Sequence, residues 1–90
     1  MLVALICFDK TDALQMRLDN RAAHLAHIQA TGVVEMAGPF LNADGQMVGS
    51  LIVLNVNTLK AAQDWAMDDP YALAGLFASV DIREWKKVVG

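Results

Sequence analysis

The stretch that decides the fold is Val33-Val-Glu-Met-Ala37, then Gly38-Pro39, then Asn42-Ala-Asp-Gly45, then Met47-Val-Gly-Ser-Leu-Ile-Val-Leu-Asn-Val56. Two apolar runs with β-branched residues flank a cluster of turn formers. Gly38-Pro39 is a strong punctuator and is expected to end the first run. Asp-Gly ahead of an apolar run is a hairpin signal. Residues 33–37 and 47–56 therefore predict an antiparallel hairpin. The second run is apolar nearly throughout, as a buried central strand is.

On the N-terminal side, Leu2-Val-Ala-Leu-Ile-Cys-Phe8 is a continuous apolar run that stops at Asp9-Lys10. It predicts another buried strand. Residues 11–31 read as a helix, with Leu14, Leu18, Leu25 and Ile28 near helical spacing. Thr11 or Asp12 is expected to cap its start and Gly32 to end it. The polar run Asp19-Asn20-Arg21 marks a point where it would break. On the C-terminal side, Thr58 caps a second helix with Leu59, Ala62, Trp65 and Ala66 as its apolar stripe. Asp69 suits an N-cap with Pro70 at the first helical position. A short third helix over residues 71–77 and a last strand over 80–89 complete the chain.

The order β-α-β-β-α-β, with an extra helical turn before the last strand, is the split βαβ arrangement. It predicts an α+β, ferredoxin-like domain over residues 1–90. Helices cover one face of a four-stranded antiparallel sheet, and the other face must be polar or buried elsewhere.

Composition favours burial. The chain is 56% hydrophobic and only 19% charged, more apolar than a 90-residue monomer needs. A homodimer, the commonest closed assembly, is the expected cover. The net charge of −3 with mixed signs carries no basic block, so nucleic acid is not an expected partner. Cys7 stands alone, which excludes an intrachain disulfide and suits a cytoplasmic setting. No run approaches a membrane span of about 20 residues.

Two histidines, His24 and His27, lie three apart, with neither His-Glu-x-x-His spacing nor a cysteine cluster, so no metal is expected. Arg21 and His24 share a helix face. Histidine is the side chain best suited to moving a proton near neutral pH, and it needs an orienting carboxylate. Asp68 and Asp69 are the candidates. The competing reading makes Asp69 a plain cap and His24 an amphipathic filler. Gly38-Pro39 can aim backbone N–H groups at an anion or be only a turn. Ser50 is a candidate pocket contact without a nucleophile elbow. Tyr71, Trp65 and Trp85 can wall a cavity or fill a core. No phosphate-binding loop is present, and no cofactor is implied.

The chain resembles the YCII-related domain family. The resemblance runs through Asp9-Lys10, Arg17-Leu18, Arg21-Ala22-Ala23-His24-Leu25 and Ala37-Gly38-Pro39. It continues through Gly49-Ser50, Ala61-Ala62-Gln63-Asp64-Trp65-Ala66, Asp68-Asp69-Pro70-Tyr71 and Trp85-Lys86-Lys87-Val88. It implies a ferredoxin-like fold of the dimeric α/β-barrel type, similar to that of muconolactone isomerases and small monooxygenases. It also implies a cleft holding a histidine and an aspartate, which fall on His24 and Asp69, with Arg21, Gly38, Pro39 and Ser50 nearby. One family member is described as a dehydrochlorinase acting on a chlorinated hydroxyhydroquinone. The chain departs from relatives in the short link over residues 40–48.

Two functions follow as expectations. The first is a cofactor-independent, lyase- or isomerase-like enzyme. Its His24–Asp69 acid–base pair would carry out elimination or isomerisation on a small aromatic or enolisable substrate. The second is a non-catalytic, ligand-binding or structural dimer. A catalytic pair requires the two side chains within about 2.6–3.2 Å, or one water apart, beside an accessible pocket.

Overall fold

The computed structural model describes residues 1–90. The elements are β1 (Leu2–Asp9), α1 (Leu14–Thr31), β2 (Val34–Leu41), β3 (Met47–Asn55), α2 (Leu59–Asp68), α3 (Pro70–Leu73) and β4 (Phe77–Trp85). The sheet order is β2-β3-β1-β4, and every neighbouring pair is antiparallel. The apolar runs of β1 and β3 thus occupy the two central positions.

Register sorts the side chains onto two faces. Leu5 lies opposite both Ile52 and Ile82, so these residues share the face that the helices cover. Val3, Leu5, Cys7, Ile52 and Leu54 form the core there, closed by Ala62 and Trp65 of α2. The opposite face carries Ile6, Leu51, Met36 and Trp85, with no helix over it. Gly49 is opposite Phe8 on one side and Phe40 on the other. Without a side chain between them, the two phenyl rings stack at 5.5 Å. A Cβ on Gly49 would collide with the Cys7 carbonyl oxygen.

Helix ends follow local chemistry. Thr58 Oγ1 accepts from the Ala61 N–H at 3.0 Å. Gly32 takes the left-handed conformation, with φ of 66°, that ends α1. Asn42 Oδ1 accepts from the N–H groups of Asp44 and Gln46, each at 3.0 Å, and shapes the hairpin loop.

Four expectations need correction. Neither Thr11 nor Asp12 caps α1. Asp12 adopts φ of 56° in the tight exit from β1, and the N-cap is Ala13, which offers no side-chain bond. Asp19-Asn20-Arg21 does not break α1, because their side chains are satisfied along the helix itself: Asp19 Oδ1 accepts from Gln15 Nε2 at 2.8 Å and Asn20 Nδ2 donates to the Met16 carbonyl at 2.9 Å. Gly38-Pro39 does not end β2; the strand runs on to Leu41. β2 is an edge strand, where proline's missing N–H costs no ladder bond. Finally, α3 stops at Leu73 and β4 begins at Phe77, because Gly75, with φ of 78°, turns the chain.

Candidate active site

The fully buried residues of α1 are Arg17 and His24, not leucines. Leu18 and Leu25 stay half-exposed. The residues of α1 that face the cavity are Arg17, Arg21, His24, Leu25 and Ile28, at helical spacing. The cavity, of about 160 Å³, is bounded by α1, by Ala37 to Pro39 of β2, and by Met47, Ser50 and Ile52 of β3. Tyr71 closes the wall. Of the site residues singled out in the sequence, Arg21, His24, Gly38, Pro39, Ser50 and Tyr71 line this cavity, whereas Asp69 does not.

His24 Nδ1 lies 2.7 Å from Asp69 Oδ1, and both side chains are buried. The same oxygen accepts from the Tyr71 N–H at 3.0 Å. Asp69 is therefore both the cap of α3 and the hydrogen-bond partner of His24, which is more than the plain cap of the competing reading. Pro70 at the first helical position fixes the turn that aims the carboxylate. An ionised carboxylate only accepts, so Nδ1 carries the hydrogen and Nε2 keeps its lone pair. Nε2 has no protein partner.

A second buried network escaped sequence reasoning. Arg17 donates to Asp9 through Nε at 2.7 Å and through Nη2 at 2.9 Å. Nη2 also donates to Ser50 Oγ at 2.9 Å. The Arg17 guanidinium lies 4.7 Å from the Tyr71 ring centroid, and the Tyr71 ring stacks on His24 at 4.0 Å. Burial alone would lower the Arg17 pKa, but the hydrogen bond and charge of Asp9 outweigh it and raise the value. Burial raises the Tyr71 hydroxyl against the opposing cations Arg17 and Arg21, so it stays protonated at neutral pH. Two sequence signals could have found the network. Asp9 continues the helix-facing alternation of Val3, Leu5 and Cys7, and Arg17 precedes Arg21 and His24 by four and seven residues.

His27 and the two tryptophans go elsewhere. His27 approaches the Trp65 carbonyl at 3.3 Å, away from His24's partner. Trp65 belongs to the core, and Trp85 lies half-exposed at the end of β4. Gly38 and Pro39 contribute strand surface to the cavity rather than a turn of free N–H groups. Arg21 is exposed at the cavity and forms no ion pair.

This is an α+β protein of ferredoxin-like fold whose helix-covered face holds a buried histidine–aspartate pair beside a cavity. The chain belongs to the YCII-related domain family, whose model matches residues 1–86. It is similar to protein YciI of Escherichia coli O6:H1, with 37% identity over 97 aligned positions, covering 98% of this chain and 99% of that one. Among solved structures it is similar to 5-chloro-2-hydroxyhydroquinone dehydrochlorinase (TftG) from Burkholderia phenoliruptrix AC1100, in complex with 2,5-dihydroxybenzoquinone. That match has 33% identity and a TM-score of 0.88, covering 96% of this chain and 94% of that one. An antibiotic biosynthesis monooxygenase shares the fold alone, at 10% identity and a TM-score of 0.62, covering 99% of this chain and all of its own. No helix is long and apolar enough to cross a membrane.

Proposed function

We propose that the chain is a cofactor-independent enzyme that moves protons on a small hydroxylated or enolisable ring, with His24 as the acid–base group. The observation that carries this is the 2.7 Å contact between buried His24 Nδ1 and Asp69 Oδ1 on the wall of a cavity. Asp69 fixes the imidazole orientation and stabilises its cation, which leaves Nε2 to take and return protons. Arg21 supplies a cation for a ligand oxygen. The similarity to a dehydrochlorinase favours elimination on a chlorinated hydroquinone. In that reaction, Nε2 takes a phenolic proton and returns one to the ring carbon bearing chlorine. Loss of a second phenolic proton then expels chloride with the electron pair of the C–Cl bond. The net change is loss of HCl from the ring, giving a quinone, and no external oxidant enters.

The working unit in this reading is a homodimer. The open face of the sheet, with Ile6, Phe8, Met36, Phe40, Leu51 and Trp85, is the apolar surface that a second copy would cover.

The test is chloride release from a chlorinated hydroxyhydroquinone. Turnover by the wild type that falls about 10²- to 10⁴-fold in His24→Gln supports the reading. Ligand binding without turnover on this and other enolisable rings would move the assignment to the ligand-binding module.

A further inference from the structure

We propose that Ser50 is an oxyanion donor. Its hydroxyl, held by Arg17, gives its hydrogen to a ring oxygen as negative charge builds there, so the cavity selects rings that form phenolates or enolates. The proposal rests on the proton-transfer reading and deepens it by naming the group that meets the ring oxygen.

Ser50 is only 3% exposed and lines the cavity from β3. Its one side-chain hydrogen bond is the 2.9 Å bond from Arg17 Nη2. Guanidinium has no acceptor atom, so the direction of that bond is fixed: Arg17 donates and Ser50 accepts. The hydroxyl's own hydrogen is left without a protein acceptor, beside the cavity. A hydroxyl that accepts from a cation is polarised into a stronger donor. Arg17 cannot swing away to meet a ligand itself, because both Asp9 oxygens hold it. The Arg17 charge is matched by Asp9, so its role here is that of a positioning residue.

His24 projects from α1 and Ser50 from β3, so base and donor come from different walls of one small cavity. A ring that surrenders a proton to His24 presents its oxygen to Ser50. The charged and titratable groups around this point are Arg17, Arg21 and His24 from α1, Cys7 and Asp9 from β1, and Asp69 and Tyr71 at the start of α3. Among them Arg21 is the cation without a carboxylate partner, which adds to the preference for an oxyanion.

The experiment uses 4-nitrophenol, whose ionised form is coloured. Its binding to wild type and Ser50→Ala is followed by absorbance across pH. In the wild type, bound nitrophenol ionises at lower pH than free nitrophenol. In Ser50→Ala, affinity for the nitrophenolate falls about tenfold, as loss of a hydrogen bond to a charged group does, while affinity for the neutral phenol changes less than about twofold. Ser50→Cys, close in volume but a weak donor, loses phenolate affinity in the same way and guards against a packing artefact. Equal loss for both ionisation states, an unchanged phenolate affinity, or failure of the wild type to bind nitrophenol overturns the proposal. The same comparison in a His24→Gln background separates it from the proton-transfer reading. A Ser50-dependent phenolate preference that persists there, with turnover absent even in wild type, sinks the enzyme and leaves the oxyanion site standing.

Discussion

Asp9→Asn tests the support beneath the cavity. Asp9 and Arg17 are joined by two hydrogen bonds of 2.7 and 2.9 Å, and their side chains are 5% and 3% exposed. The substitution keeps shape but removes the negative charge, leaving the Arg17 cation buried against neutral groups. Removing one partner of such a pair costs about 3–5 kcal/mol. A small domain holds only about 5–15 kcal/mol in total. At roughly 4–8 °C per kcal/mol for a domain of this size, the midpoint of thermal unfolding falls by about 12 °C or more. Urea unfolding followed by circular dichroism measures the free energy directly. Replacing both residues by apolar ones, Asp9→Leu with Arg17→Met, removes the uncompensated charge and recovers most of the loss, a coupling of about 2 kcal/mol or more. If Asp9→Asn stays within about 1 kcal/mol of wild type, the pair is screened like a surface bridge and the account of a rigid, water-poor network is wrong.

Three further outcomes follow. Burial, helped by the charge of Asp69 and Asp9 against Arg17, pushes the Cys7 thiol from 9.0 up to about 12. The unfolded chain therefore loses this proton first, so the contribution is intact below about pH 9 and is lost towards about pH 12, at up to about 1.4 kcal/mol per unit. Urea titrations across that range should show this slope, and Cys7→Ala should flatten it. Gly49→Ala forces its Cβ against the Cys7 carbonyl and the Phe40 ring, so it should cost about 1–3 kcal/mol in the same assay and disturb the Phe8–Phe40 stack. A Phe8→Asp substitution on the open sheet face should shift a dimer to monomer in sedimentation; an unchanged mass would remove that face from the proposed interface.

Much of this fold was legible because strands and caps are local. The Leu2 to Phe8 run and the residues after Asp44-Gly45 signalled the central strands, and Thr58 and Asp69-Pro70 signalled helix starts. A carboxylate at the start of a helix is a fixed acceptor in a known place, which offered Asp68 and Asp69 as partners for His24, and the family resemblance singled out Asp69. The register of α1 was misread. Leu18 and Leu25 suggested its buried stripe, yet its buried residues are Arg17 and His24, because much of the helix's inner face, half-exposed Leu25 included, borders a cavity, and only Ile28 of the expected stripe packs on the aliphatic core. A buried arginine looks like a solvated one until its partner is known, and Asp9 sits on another element. Gly38-Pro39 looked like an end because the sequence does not say that β2 is an edge strand.

The most direct measurement of the central claim is ¹⁵N NMR of the His24 ring in the neutral state, which reports which nitrogen carries hydrogen. The account predicts the Nδ1–H tautomer, with Nε2 unprotonated, because Nδ1 sits 2.7 Å from the Asp69 carboxylate. A ring protonated mainly at Nε2 would contradict it, since Asp69 would then not orient His24 and no free base would face a substrate.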